Sequence, residues 1–148
     1  MTSDTASASV DVSVDQETAF RIFTEDVGEW YLVNEHTVMD HTRTKTLTFD
    51  PWVGGHFRDV YDLETGEGPT GAVITAWEPP DRLVFVDDRD MEVEVRFTPS
   101  ERGCRVTVEQ RGFDKLDPDV ATHVREHGWF VHLPEWFEQH VAATAATR

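Results

Sequence analysis

Short segments in which apolar and polar residues alternate recur along most of this 148-residue chain, and they constrain its fold more than any other feature. In residues 9–14, Val10, Val12 and Val14 share one face and polar side chains take the other, which is the period of a half-buried strand. Turns rich in proline or glycine separate the segments, so successive strands are expected to pair in antiparallel order. The predicted strands are residues 9–14, 42–49, 55–61, 70–77, 82–86, 91–97 and a seventh that begins at Cys104.

Helical segments follow the first strand and the last strand. Asp15 is predicted to cap a short helix with its apolar residues on one side, and a second short helical turn through Trp30 and Tyr31 follows. After the seventh strand, Asp117 and Pro118 mark a helix start, and an apolar stripe at helical spacing continues to the alanine-rich end. This order predicts an α+β fold in which a seven-stranded curved antiparallel sheet carries the long C-terminal helix on its concave face.

The chain has the size of one domain, because 148 residues lie near the commonest single-domain length. The pattern predicts a disordered tail over residues 1–8, a single domain over residues 9–143 and a frayed C-terminus over residues 144–148. Monomer and homodimer are both compatible with the pattern.

The net charge and the cysteine content indicate which partners and which cellular compartment to expect. Asp and Glu number 29 against 13 Lys and Arg, and a net charge of -16 repels nucleic-acid phosphates and anionic membrane surfaces. We therefore expect neither as a partner. Cys104 is the only cysteine, and the first ten residues lack the basic and apolar regions of a signal peptide. Both features predict a cytoplasmic protein.

Several separated motifs, in a fixed order, span nearly the whole chain. They are residues 51–57 (PWVGGHF), 71–73 (GAV), 77–85 (WEPPDRLVF), 103–108 (GCRVTV), 112–113 (GF) and 128–129 (GW). Their order and spacing resemble the START-like, or SRPBCC, superfamily with its helix-grip fold, the fold of Bet v-type allergens. Within that superfamily, the chain is similar to the homologues of the activator of heat-shock protein 90 ATPase.

The resemblance implies a cavity between the sheet and the C-terminal helix that accepts a small apolar or amphipathic ligand. Aromatic side chains with a few polar groups are typical walls of such a cavity. We expect the ligand-binding cavity to be lined by Trp30, Phe57, Asp59, Tyr61, Trp77, Phe85, Val95, His127, Trp129 and Val131.

Two other functions share this fold. The resemblance also implies a protein-interaction module related to activators of the chaperone ATPase, although the eukaryotic co-chaperones carry an additional N-terminal domain. A few relatives are cyclases or hydrolases, which would use the same cavity. The sequence itself contains no glycine-rich phosphate loop and no Ser-His-Asp arrangement, so we predict no catalytic residues, no cofactor and no metal.

The orientation of Asp59 depends on the register of its strand. Alternation places Asp59 on the same face as Phe57 and Tyr61, where its carboxylate would be desolvated or paired. A bulge would instead turn His56 and Arg58 inward. Both registers are compatible with the sequence.

Residues 123–127 match H-x-x-E-H, a pattern of two metal-ligating histidines one helical turn apart with a general base between them. A zinc protease needs a third protein ligand and a substrate cleft, and few residues follow His127. We therefore expect His123, Arg125 and Glu126 on the solvated helix face, with His127 near the cavity rim.

Pro134 and Cys104 each have a simple structural interpretation. Proline inside a helix removes a hydrogen bond, so Pro134 is expected to kink the last helix. The kink would open a portal, fit the helix to the curved sheet, or separate two shorter helices. Cys104 alternates with Val106 and Val108 and is expected to pack as a small apolar residue.

Overall fold

The computed structural model describes residues 4–31, 40–87, 89–127 and 129–146. In chain order, the elements are β1 (Thr5–Val12), α1 (Gln16–Glu25), α2 (Val27–Trp30), β2 (Thr46–Phe49), β3 (His56–Val60), β4 (Ala72–Glu78), β5 (Arg82–Val86), β6 (Glu92–Pro99), β7 (Cys104–Arg111), a 3-10 turn (Phe113–Lys115), α3 (Pro118–His127) and α4 (Trp129–Ala146). This order confirms the predicted α+β helix-grip fold. Among the described residues, no helix combines the length and the apolar character needed to cross a membrane.

The seven strands form one antiparallel sheet in the order β1-β7-β6-β5-β4-β3-β2. From β2 to β7, each strand pairs with the next strand in sequence, as the short turns between them predicted. The first strand breaks this pattern, because β1 pairs with β7 and places Thr5 opposite Arg111. The edge strands of the sheet are therefore β1 and β2.

The inner face of the sheet carries the apolar residues that the alternation predicted. In β6, Val93 and Val95 are fully buried, and in β7 Val106 and Val108 are fully buried as well. The polar residues between them lie on the outer face. The period of two therefore identified the buried face of these strands correctly.

An aromatic cluster fills the space between the sheet and the helices. Phe23 of α1 is fully buried at its centre. Its ring centroid lies 4.7 Å from that of Trp30, 5.5 Å from that of Phe97 and 5.2 Å from that of Phe137. Rings at these separations and tilts pack favourably. The cluster joins α1, α2, β6 and α4 into one core.

The C-terminal helix packs on β1 and β7. Leu133, Phe137 and Val141 recur every four residues along α4, and all three are buried at 2% exposure or less. Pro134 lies inside α4 and does not separate two helices. The predicted C-terminal helix is described in two parts, α3 and α4, and residue 128 between them lies outside the described residues.

The first strand begins earlier, and the last helix ends later, than the alternation and the apolar stripe predicted. Strand β1 begins at Thr5 because Ala6 and Ala8 continue the alternation and Ala8 pairs with Val108. Because alanine is small and only weakly apolar, the alternation in this part of the strand is a weak signal in the sequence. At the other end, α4 continues to Ala146, because alanine favours helix and no breaker intervenes. Residues 5–8 therefore belong to β1 and residues 144–146 to α4.

The second strand is also shorter than predicted, because a turn replaces its first half. The side chain of Asp40 accepts hydrogen bonds from the Thr42 backbone N–H (3.1 Å) and hydroxyl (2.6 Å). The Asp40 carbonyl accepts from the N–H groups of Arg43 and Thr44. Such local bonds compete with strand pairing, so β2 begins only at Thr46.

Candidate functional site

A cavity of about 720 Å³ opens where α1 passes over the β2 edge of the sheet, and we call it the α1 cavity. Helix α1, strands β2 and β4, and the turns after these strands form its walls. Its lining residues are Glu17, Phe20, Arg21, Thr24, Glu25, Thr48, Phe49, Pro51, Trp77, Pro79 and Pro80. The volume suits a small organic molecule, since such sites usually measure about 300–1,000 Å³.

The floor of the α1 cavity is aromatic. The ring of Phe20 lies edge-on to the indole of Trp77 at 5.4 Å between centroids, and Phe49 lies 6.5 Å from Trp77. Phe20 and Phe49 are buried, whereas Trp77 is half-buried. In the described part of the chain, the indole N–H of Trp77 has no hydrogen-bond partner, so it is available as a donor. The floor therefore offers apolar ring faces with one polar group.

Exposed charged side chains from successive turns of α1 form the rim of the cavity. Arg21 Nε lies 3.9 Å from Glu25 Oε2, and Glu17 lies one turn before Arg21. The rim therefore carries one more negative than positive charge. Deeper in the wall, the Thr24 hydroxyl donates to the Phe20 carbonyl at 2.9 Å.

The start of α1 is fixed by its cap. The Asp15 side chain accepts a hydrogen bond from the Thr18 N–H at 2.8 Å. Hydrogen bonds from Thr18 hold the pKa of Asp15 below its ordinary value. Asp15 is therefore charged at neutral pH, and its charge favours the helix N-terminus. The rim residues consequently project from a helix whose start is well defined.

Most residues of this site were not predicted, although a signal for them is present in the sequence. The α1 residues that line the cavity occur at positions 17, 20, 21, 24 and 25, which is the spacing of one helix face. The apolar side of this helix was predicted to pack in the core, but the charged stripe beside it also borders the cavity.

Of the ten predicted cavity residues, Trp77 lines the α1 cavity. Four others pack in the core, with exposed fractions of 2%, 5%, 0% and 0%: Trp30, Phe57, Phe85 and Val95. Leu133, Phe137 and Val141 of α4 are buried as well. A cavity beside the C-terminal helix stays a prediction, because residues 32–39 and 128 and the side chains of residues 129 and 130 lie outside the description.

The remaining predicted residues lie at separate places. Tyr61 stacks under the Arg43 guanidinium, which lies 4.4 Å from the ring centroid, and it borders a polar hollow of about 600 Å³. His127 and Val131 are half-buried. The side chain of Trp129 lies outside the described residues. A shared site for these residues stays a prediction.

Asp59 lies on the inner face of β3 together with Phe57, as the regular register predicted. Asp59 is 7% exposed, and Thr44 Oγ1 lies 3.5 Å from Asp59 Oδ2. Burial and the nearby Asp59 charge raise the pKa of Tyr31 far above its ordinary value. Arg58 projects to the other face, where it forms an ion pair with Asp50. The bulged alternative is therefore wrong.

The thiol and the histidine pair considered from the sequence lie on β7 and α3, apart from the α1 cavity. Cys104 is fully buried, and burial raises the pKa of its thiol to about 11, so it packs as a neutral apolar side chain. The rings of His123 and His127 lie 4.8 Å apart on α3. Three side chains that could bind a metal ion converge elsewhere in the described residues. They are Asp26, Glu29 and His140.

Comparison with known proteins identifies the family. Residues 13–142 match the family model for "Activator of Hsp90 ATPase homolog 1-like protein". Among curated proteins, none matches this chain.

Solved structures are similar over almost the whole chain. The solution structure of an AHSA1-like protein from Aeromonas hydrophila is 21% identical, with a TM-score of 0.68 over 95% of this chain and 94% of that one. A crystal structure from Rhodobacter sphaeroides is 16% identical, with a TM-score of 0.69 over 98% and 94% of the two chains. A protein from Mesorhizobium loti is 21% identical, with a TM-score of 0.63 over 97% and 98%. At these low sequence identities, the similarity shows a shared fold and nothing more.

Proposed function

Because the chain belongs to the family of proteins like the activator of Hsp90 ATPase homolog 1, whose fold is typically a ligand-binding scaffold, we propose that it binds a small amphipathic molecule in the α1 cavity. The observation that carries the proposal is the cavity of about 720 Å³ with an aromatic floor. An apolar or aromatic part of the ligand packs on Phe20, Phe49 and Trp77, and a polar end lies at the charged rim.

The rim favours a ligand whose polar end is neutral or positively charged. Glu17 and Glu25 contribute two negative charges to the rim, and Arg21 contributes one positive charge. The net charge of -16 acts in the same direction, because it repels anions from the whole surface. A cationic group over Trp77 or Phe20 would also gain a cation–π contact.

The lining favours binding over catalysis. The described residues of the α1 cavity include no histidine or cysteine, and its two carboxylates are exposed. A cyclase or hydrolase needs a general acid, base or nucleophile held near the reacting atoms. The enzyme alternative therefore has less support than the binding protein.

Filling the cavity is expected to abolish binding. Arg21→Trp places an indole at the mouth of the cavity from an exposed position of α1, so we expect the affinity for the uncharged fluorescent probe N-phenyl-1-naphthylamine to fall by about tenfold or more. Overfilling a site costs about 1–3 kcal/mol, and about 1.4 kcal/mol corresponds to a factor of ten. Fluorescence titration measures the dissociation constant.

The matched control is Thr98→Trp, which adds the same side chain at an exposed position of β6 outside the cavity lining. This variant should bind the probe like the unmodified chain. Octylamine should displace the probe at lower concentration than octanoate, because of the rim charge. Equal binding by both tryptophan variants would place the probe elsewhere and contradict the proposal.

A protein-interaction role is the second candidate, and one observation favours it. Trp52 and Val53 in the turn between β2 and β3 are 56% and 62% exposed, which is unusual for large apolar side chains side by side. A protein that binds there would lose affinity for the Trp52→Ser variant in a pull-down. Probe binding in the α1 cavity should be retained in that variant, so the two functions are separable.

A further inference from the structure

Asp26, Glu29 and His140 form a cluster where the α1–α2 junction meets α4. Asp26 joins α1 to α2, Glu29 lies in α2, and His140 lies in α4. His140 Nε2 lies 3.2 Å from Asp26 Oδ2. One ligand atom from each of the three side chains lies within 4.8 Å of the other two. Residues separated by 114 positions in sequence therefore converge.

The backbone around the cluster is well fixed. The Asp26 N–H donates to the Ile22 carbonyl at the end of α1, and the Asp26 carbonyl accepts from the Glu29 N–H at 2.8 Å in α2. On the other side, His140 follows Phe137 and precedes Val141, which are both buried in the core. Three ligating side chains are thus held by elements that pack against each other.

The ligand types suit a divalent transition-metal ion. Imidazole nitrogen and carboxylate oxygen bind Zn²⁺ at about 2.0–2.2 Å, so neighbouring ligand atoms in a tetrahedral site lie about 3.4 Å apart. The observed separations need only a small closure of the exposed Glu29 side chain. Two carboxylates with a neutral imidazole supply the charge that neutralises a divalent ion.

The cluster also has room for further ligands. A hollow of about 220 Å³ lies beside it and is lined by Glu29, Trp30, Trp136, Gln139 and His140. Water or a small ligand in this hollow could complete the coordination of an ion held by three protein groups. The hollow and the α1 cavity share no lining residue, so the two sites are separate.

We propose that Asp26, Glu29 and His140 bind a divalent transition-metal ion such as Zn²⁺, with solvent in the remaining coordination positions. The ion would link the α1–α2 junction to α4. Without a metal, the same contact is a hydrogen bond between Asp26 and His140, and that simpler role predicts no response to metal.

The test uses the full chain, freed of metal with a chelator and then titrated with Zn²⁺ in competition with a chromophoric chelator. We expect one ion per chain and a dissociation constant that rises by at least about tenfold in His140→Ala and in Glu29→Gln. Glu29→Gln leaves the Asp26–His140 contact in place, so its effect does not depend on a loss of folding. Co²⁺ absorption bands should weaken in the same two variants.

The matched control is the double variant His123→Ala/His127→Ala, which removes the other pair of neighbouring histidines, on α3. This variant should bind Zn²⁺ like the unmodified chain. The proposal is overturned if the unmodified chain binds no Zn²⁺, if Glu29→Gln binds it equally well, or if binding is lost only in the α3 double variant.

Discussion

Replacement of Phe137 by alanine is expected to lower the free energy of unfolding by about 3–5 kcal/mol, the range observed when a buried phenylalanine is truncated. Phe137 is fully buried, and its ring packs on Phe23 at 5.2 Å and on Trp30 at 5.7 Å between centroids. The neighbouring rings belong to two helices, so they cannot collapse into the space left by the truncation. Urea unfolding, followed by tryptophan fluorescence, measures the change.

Gln139→Ala provides the control on the same helix, because Gln139 is exposed. We expect a change within about 0.5 kcal/mol for that variant. For Phe137→Ala, the melting temperature should fall by roughly 10 °C in a chain of this size. A loss below about 1 kcal/mol would show that the space between α4 and the sheet is not tightly packed, and would favour the cavity predicted beside the C-terminal helix.

Replacement of Glu94 by alanine is expected to cost about 2–3 kcal/mol at neutral pH. Glu94 lies on the outer face of β6 but is only 8% exposed, because three arginines cover it. The closest nitrogens of Arg82, Arg96 and Arg111 lie 2.5, 2.6 and 3.1 Å from its oxygens. Without the carboxylate, these three cations repel each other. The cost stays below that of a fully buried ion pair because the arginine heads keep partial contact with water.

The same carboxylate predicts how stability depends on pH. Burial opposes the ionisation of Glu94, but hydrogen bonds from Arg82, Arg111 and Arg96 outweigh it and hold the pKa of Glu94 below its ordinary value of 4.5. A lowered pKa in the folded state gives stability that is complete above about pH 4.5. This stability is lost as the pH falls through the lower folded value. The difference between the unmodified chain and Glu94→Ala should therefore shrink in acid.

Urea unfolding at pH 7 and at pH 3 measures both effects. Glu78→Ala is the matched control, because Glu78 also pairs with Arg82 at 2.8 Å but its side chain is 53% exposed. We expect that variant to lose less than about 1 kcal/mol. If Glu78→Ala and Glu94→Ala cost the same, the burial of Glu94 has no energetic consequence and the interpretation of the network is wrong.

The two proposed sites use different parts of one scaffold. The α1 cavity lies at the β2 edge of the sheet, whereas the proposed metal ligands lie where the α1–α2 junction meets α4. Both sites involve segments that pack on the sheet, and the sheet itself supplies only Thr48, Phe49 and Trp77. The binding properties of this protein are therefore expected to depend more on residues of its helices and turns than on residues of its sheet.

The sequence determined the class of fold and the buried face of the strands. Alternation is a local property with a period of two residues, so it identified Val93, Val95, Val106 and Val108 as inward-facing without any knowledge of strand pairing. The boundaries were less certain where side chains are small or where a local bond competes. The start of β1 was predicted too late because its inward-facing residues are alanines. The start of β2 was predicted too early because the turn at Asp40 replaces its first half.

Only the tertiary structure decided where an opening remains. Apolar residues in a sheet look alike whether they wall a cavity or fill the core, because both environments exclude water. Phe57 and Phe85 are core residues, while Trp77 lines the α1 cavity, and the difference is set by which helix passes over each of them. The contact between Asp26 and His140 depends on the crossing of α1, α2 and α4, which no local pattern encodes. Local periodicity thus determined the strands and their faces, and the packing of the helices on the sheet determined the sites.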